Sequence, residues 1–216
     1  MINKKYVSQK DAVATYNYTD IADMTGFRTF YGVDTTDDGT QSYHLVSNGL
    51  HSDTAATEGN GSSGEEKVHD IDFDLSEFQL PQVVSGTMRA VVPVILGHET
   101  TANKGGQAYV IIKLRKWDGT TETEIASNTK SRVSGNPGSL DTLPVVFNIH
   151  VDVPGTSFKK GEQLRITVEV WATSQAANGL RIVLSHDPTD TNNAPDSAEF
   201  ITSILQFEVP FKLEEI

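Results

Sequence analysis

Cysteine does not occur among the 216 residues, so the chain can form neither a disulfide framework nor a thiolate-ligated zinc site. A disulfide-stapled secreted domain is thereby excluded, and a reducing compartment is the expected setting. Long apolar runs are missing too. Nothing approaches the roughly 18 to 20 apolar residues of a membrane-spanning helix. The basic residues near the start, Lys4, Lys5 and Lys10, are followed by no apolar stretch of the kind a signal peptide carries. A soluble protein with no membrane partner and no export signal is therefore expected. Positive charge is scarce: 17 Lys and Arg stand against 29 Asp and Glu, a formal net charge of −12. Each phosphate contact calls for Lys or Arg, so nucleic acid is not an expected partner. Amphipathic helices longer than about two turns are lacking, as is any self-similarity at roughly 20 to 50 residues, which argues against bundles, solenoids and propellers.

What the sequence has in quantity is alternation. Val145, Phe147, Ile149, Val151 and Val153 are apolar at every second position, with Asn148, His150 and Asp152 between them. Period two is the spacing of a pleated strand with one buried face. After Pro154, Gly155 and the turn residues up to Gly161, the pattern resumes with Leu164, Ile166, Val168 and Val170. These two strands are expected to form one antiparallel pair covering half of a core.

Residues 1–28 carry Tyr6, Tyr16, Tyr18 and Phe27 without a sustained period, the mark of an arm laid across a neighbouring subunit or across its own sandwich. Phe30 to Val33 and Tyr43 to Ser47 flank Asp37-Asp38-Gly39 and read as a hairpin. Residues 52–66 are rich in Gly and Ser and read as a flexible loop. Alternation returns with His69, Ile71, Phe73 and Leu75, then with Met88 to Leu96, where Pro93 predicts a sheet edge or a bulge. Tyr109 to Trp117, a turn at Asp118-Gly119, and a short strand over 122–126 follow. Leu180, Ile182 and Leu184 alternate next, and the last strand runs from Leu205 to Leu213, with Pro210 predicting another edge or bulge. The expected fold is all-β: an antiparallel β-sandwich with jelly-roll or Greek-key connections, preceded by an extended N-terminal arm and hairpin. Residues 1–51 would be the arm and hairpin, 52–66 the loop, and 67–216 the sandwich, with the hairpin and sandwich forming one compact unit.

Local motifs for chemistry are few. Gly59, Gly61 and Gly64 match G-x-G-x-x-G, but a polar coil precedes them and a strand follows, so no helix N-terminus is there to hold a phosphate. Asp70, Asp72 and Asp74 share one strand face at roughly 6.5 to 7 Å intervals, too far apart to hold calcium without loop ligands; a solvated edge is expected. Asp34, Asp37 and Asp38 lack the EF-hand spacing, although calcium in that loop stays open. The six histidines form no H-x-H or H-E-x-x-H pair, and there is no G-x-S-x-G elbow. No catalytic residue, metal ligand or cofactor is expected, and no enzyme.

Tyr16 to Gly26 followed by Phe30-Tyr31-Gly32 resembles the start of virion-associated proteins of tailed bacteriophages and related archaeal viruses. Leu184 to Pro188 and Ser203 to Leu213 resemble their close, and Phe158 to Leu164 resembles one of their turns. The resemblance implies a jelly-roll protein on the capsid exterior, decorating or cementing the shell as a small symmetric oligomer. A protein of this kind is made in the host cytoplasm and has the major capsid protein and its own copies as partners, with a trimer favoured. Tyr16, Tyr18, Phe27, Phe30 and Tyr31 are the expected contacts with capsid or neighbouring subunit. The alternative is a carbohydrate- or receptor-binding sandwich of a tail, fibre or cell surface, in which Trp117 and Trp171 would be presented.

Overall fold

Alternating side chains along the chain become twelve strands, with no helix among the described residues. The computed structural model describes residues 25–37, 40–47, 56–61, 63–97, 106–130, 132–135, 143–174, 180–186 and 204–212. Eight long strands carry the architecture: β1 (Thr25–Asp37), β4 (Glu66–Asp74), β5 (Gln82–Gly97), β6 (Gly106–Trp117), β7 (Glu122–Thr129), β9 (Leu143–Phe158), β10 (Gln163–Ser174) and β12 (Gln206–Lys212). One sheet has the order β1-β12-β5-β9 and the other β4-β10-β6-β7. Numbered by their sequence among the eight, these orders are 1-8-3-6 and 2-7-4-5. That is a jelly roll, the arrangement anticipated from the alternation.

The remaining strands hang on this frame. β2 (Thr40–Val46) lies beside β1 and touches β4 through one parallel bridge, His44 with Asp74. β3 (Ala56–Gly61) pairs with β11 (Leu180–Ser185), which pairs with β5, and β8 (Val133–Gly135) pairs with β6. Residues 56–61 were expected within a loop; the pairing with β11 makes them a strand. Glycine is what admits them, since a Cβ on Gly59 would stand 2.5 Å from Val68 Cγ1.

The inner faces are apolar at every second position and meet across the sandwich. Phe73 of β4 and Phe207 of β12 have ring centroids 6.1 Å apart, and Ile112, Leu114, Ile166, Val168, Ile149 and Val151 are fully buried around them. Strands β9 and β10 do not pair, contrary to the expectation from their shared alternation. β9 pairs with β5 and β10 with β4 and β6, so the turn over 159–162 arches between the sheets. Period two says which side is buried, and an arch and a hairpin leave the same pattern. Both prolines sit where a ladder is interrupted. Pro210 lies in a register shift opposite Gly86, while Pro93 falls between Val91, the last β12 partner, and Val94, the first β11 partner.

The two ends of the sandwich differ. At one end the links are short (75–81, 118–121 and 159–162) and tightly bonded. Phe78 exchanges backbone hydrogen bonds with Glu162 and Gly161 and sets its ring at a tilt against Phe158 and edge-on to Phe211 as a plug. At the other end the links between the eight strands run over 38–65, 98–105, 130–142 and 175–205, and these carry β2, β3, β8 and β11.

Gly32 is a tight point of contact between the layers. A Cβ there would lie 2.6 Å from Leu205 Cδ2 and 2.8 Å from Phe73 Cε1. Gly32→Ala is expected to lower stability by about 1–3 kcal/mol through overpacking. Adding Leu205→Ala should return part of that loss in a non-additive cycle. Urea unfolding of the single and double variants checks this, and strict additivity would contradict the packing described.

Candidate functional site

Strand β5 gives the sheet a fork. β9 runs along one side of it from Gln82 to Leu96, while on the other side β12 and β11 follow each other end to end. Backbone ladders cannot continue across the junction between them, so side chains link the strands there. Asp34 of β1, Gln41 and Tyr43 of β2, Thr57 of β3, Ser185 of β11 and the following His186 gather at this point. Asp34, Ser185 and His186 are fully buried, whereas Tyr43 and Thr57 are half-buried.

The contacts run in series. His186 Nδ1 lies 3.7 Å from Asp34 Oδ1, close enough for charge attraction and longer than an ordinary hydrogen bond. His186 Nε2 lies 3.0 Å from Thr57 Oγ1, which is 3.2 Å from the Tyr43 hydroxyl. The Gln41 amide donates to Asp34 Oδ2 at 2.7 Å, and the Tyr43 ring meets the imidazole edge-on at 5.9 Å. With the ring proton on Nδ1 facing the carboxylate, Nε2 accepts from Thr57 O–H, and Thr57 Oγ1 accepts from Tyr43 O–H. Such a chain supplies a buried carboxylate with donors and can move a proton between a half-exposed hydroxyl and a buried base. Ser185 Oγ is buried in the same place with no hydrogen-bond partner among the described residues.

A second polar assembly covers the outer face of the β4-β10-β6-β7 sheet. Glu169 of β10, nearly buried, receives Lys113 Nζ at 2.8 Å, Trp171 Nε1 at 3.0 Å and Lys67 Nζ at 3.4 Å. Burial works against its charge, but the bonds from Lys113 and Trp171 and the charge of Lys67 outweigh it, so Glu169 titrates below the usual glutamate range. Arg165 grips Asp74 with two bonds of 2.6 and 2.8 Å, reaches Glu122 at 2.8 Å, and lies 5.1 Å over the Trp117 ring. Thr167 donates to Asp72 at 2.5 Å, and Arg115 pairs with Glu122. Tyr109 and Trp171, opposite each other on β6 and β10, have nearly parallel rings 6.1 Å apart, with Arg132 over Tyr109 at 4.8 Å. Asp70, Asp72 and Asp74 lie along β4, the end strand of this sheet, which has β10 on one side and a single bridge to β2 on the other, and these partly exposed carboxylates are paired with Lys67, Thr167 and Arg165. Among the described residues no three acidic or histidine side chains form a metal-binding group.

Of the contacts expected from sequence, Phe30 is in the core, edge-on to Phe211 at 6.2 Å, so its ring is not on a contact surface. Phe27 and Tyr31 are half-buried on β1, one residue out of phase with Phe30 and so on the outer face. Tyr16 and Tyr18 lie outside the described residues, as do the Asp38 turn and the side chain of Asp37. Trp117 and Trp171 stand on the outer face just described. The Asp34, Thr57 and His186 grouping had no signal in the sequence, because its members are 23 and 129 residues apart along the chain. His69 is buried, as its place in the alternation with Ile71 and Phe73 implied, and its Nε2 donates to the Ile182 carbonyl of β11 at 3.1 Å, a tie between the two layers that the sequence did not signal. Burial lowers its pKa, and the bond to Ile182 only partly offsets this.

No protein-family pattern and no curated protein matches the chain. Solved structures do share its fold. An aminopeptidase from the marine sediment archaeon Thaumarchaeota archaeon aligns with a TM-score of 0.50 at 10% identity, over 85% of this chain and 37% of that one. An α-amino acid ester hydrolase aligns with a TM-score of 0.50 at 9% identity, over 85% of this chain and 36% of that one. The subviral particle protein of infectious bursal disease virus aligns with a TM-score of 0.30 at 11% identity, over 86% of this chain and 37% of that one; at that score the likeness bears on nothing further. The two hydrolases overturn the expectation that the chain is no enzyme, since catalytic proteins carry this fold. The physical reason the sequence misled is that a search for local motifs is blind to groups that folding brings together. This chain spans little more than a third of the two hydrolases, so their activity belongs to those whole proteins.

Two consequences of the buried ionisable groups are measurable. His69 has a folded pKa below that of the unfolded chain. The stability it contributes is complete above the ordinary histidine range and is lost as the pH falls through it. The urea midpoint is expected to drop between about pH 7.5 and pH 5.5, and to drop less in His69→Gln; equal slopes would remove His69 as the cause. Glu169→Gln should cost about 1–3 kcal/mol at neutral pH by weakening its charged bonds to Lys113 and Lys67. The difference from the parent should shrink below the glutamate range, where the parent is protonated as well.

Proposed function

We propose that this chain is a virion structural protein, a decoration or cement protein seated on the outer surface of a phage head. The single observation that carries the reading is the strand order, 1-8-3-6 facing 2-7-4-5, because jelly rolls of this kind recur in viral capsid and lectin domains. Two further features support it. The net charge of −12 disfavours contact with a packaged genome and suits an exterior position. The outer lattice around Arg165 and Glu169 holds its own side chains in place, so a partner would meet a surface already ordered.

In this reading the major capsid protein is the partner, the chain acts as a homo-oligomer with a trimer favoured, and synthesis takes place in the host cytoplasm. Phe27 and Tyr31 on the outer face of β1, with Tyr16 and Tyr18 upstream of it, supply the capsid or subunit contacts. A second reading, a carbohydrate- or receptor-binding module, is favoured by one observation: the nearly parallel Tyr109 and Trp171 rings stand half-buried on the outer sheet face, with Trp117 on the same face at the other end of β6.

Co-sedimentation with genome-filled heads distinguishes them. The full chain is expected to saturate capsid sites, and Phe27→Ser with Tyr31→Ser to lose at least about tenfold in affinity, roughly 1.4 kcal/mol, with the melting temperature unchanged. A variant that still saturates capsids overturns the contact assignment. Absence of capsid binding by the full chain, together with glycan-array signals lost in Trp171→Ala, would favour the second reading.

A further inference from the structure

We propose that Thr57 is a nucleophilic hydroxyl, with His186 as its general base and Asp34 as the group that orients the base, and that the site accepts acyl groups from small carboxylic esters. This goes beyond the docking role and does not depend on it.

The order of the contacts carries the inference. Asp34 faces one imidazole nitrogen of His186, and the other faces Thr57 Oγ1 at 3.0 Å, within the range for a nucleophile and its base. The Asp34 to His186 separation of 3.7 Å is looser than a hydrogen bond, as is common before a substrate closes such a site. Burial is graded in the same order. Asp34 and His186 are fully buried while Thr57 and Tyr43 are half-buried, so an ester reaches the hydroxyl from outside with the base behind it. Gln41 holds the second carboxylate oxygen of Asp34 at 2.7 Å, which fixes the orienting group. Ser185, the residue before His186, has a buried hydroxyl with no hydrogen-bond partner among the described residues.

The chemistry balances without any further reagent. Thr57 Oγ attacks the ester carbonyl carbon and forms a C–O bond while His186 Nε2 takes the hydroxyl proton. The imidazolium is stabilised by Asp34. The Tyr43 hydroxyl, 3.2 Å from Thr57 Oγ1, is a donor placed to meet the oxyanion. Collapse breaks the bond to the leaving alkoxide, which takes the proton from Nε2 and departs as the alcohol. Water then repeats the sequence on the acyl-threonine and releases the carboxylic acid.

The probes are p-nitrophenyl acetate, followed by nitrophenolate release, and a fluorophosphonate, whose phosphorus bonds to Oγ as fluoride leaves. Adducts are located by peptide mass spectrometry on the full chain. The expected result is modification at Thr57 that is retained in Thr57→Ser and abolished in Thr57→Val. Release should fall by about 10²-fold or more in His186→Gln. The part of the rate that Thr57→Val removes should rise with pH as the general base loses its proton, whereas attack by hydroxide and by other side chains contributes equally to parent and variant. Circular dichroism of each variant tests its fold. If Thr57→Val or His186→Gln is unfolded, the parent decides: no adduct at Thr57 overturns the proposal, and an adduct at Thr57 with the stated pH profile sustains it. Labelling elsewhere, or an undiminished rate in folded His186→Gln, overturns it too. Capsid co-sedimentation of Thr57→Val is expected to match the parent, so the two readings fail separately.

Discussion

Contact between two apolar sheet faces is the interaction on which the rest depends. Phe73 and Phe207 meet from opposite layers, and Gly32 lets the layers close because it has no Cβ to strike Leu205 or Phe73. Close-packed interiors tolerate little change in volume. The same contact fixes which residues point outward, and so places the charged lattice of β4, β10, β6 and β7 on one surface. The outer face is polar and yet largely covered. Thr167 and Glu169 are buried there because the long side chains of neighbouring strands lie over them.

The two ends of the sandwich divide the labour. Phe78 seals one end with a ring plug and backbone bonds, which leaves that end nothing but short turns. Every long connection among the eight strands belongs to the opposite end, and the fork beside β5 lies toward it. Binding and catalytic groups are disproportionately found where connections are long and a rigid scaffold positions them. The fork adds a physical requirement of its own. Where β11 ends and β12 begins, backbone groups have no continuing ladder, so Asp34, Thr57 and His186 supply the links. Polar groups drawn into a low-dielectric junction for that reason are also placed where proton transfer is feasible.

Much of the architecture was legible from residues alone. The alternation of Met88 to Leu96, of Tyr109 to Trp117 and of Leu164 to Val170 marked strands and their buried sides, and Asp118-Gly119 marked a turn. Gly119 has a φ of 94°, and Asp118 Oδ1 accepts from the amides of Thr120 and Thr121. Pro93 and Pro210 marked interruptions. What failed has a common cause. The pairing of β9 with β5 instead of β10, the strand at Gly59, the interior position of Phe30 and the lattice around Asp72 all depend on which segment ends up beside which.

From the order of its residues, then, this protein had already settled that it would be a two-layered β structure with an acidic surface. Side-chain alternation is a local property, and charge is a sum. Tertiary structure alone decided that Asp34, Thr57 and His186 would share a site and that Arg165 would bridge Asp74 and Glu122. Those encounters depend on the partners chosen across the sheets, and period two carries no information about partners.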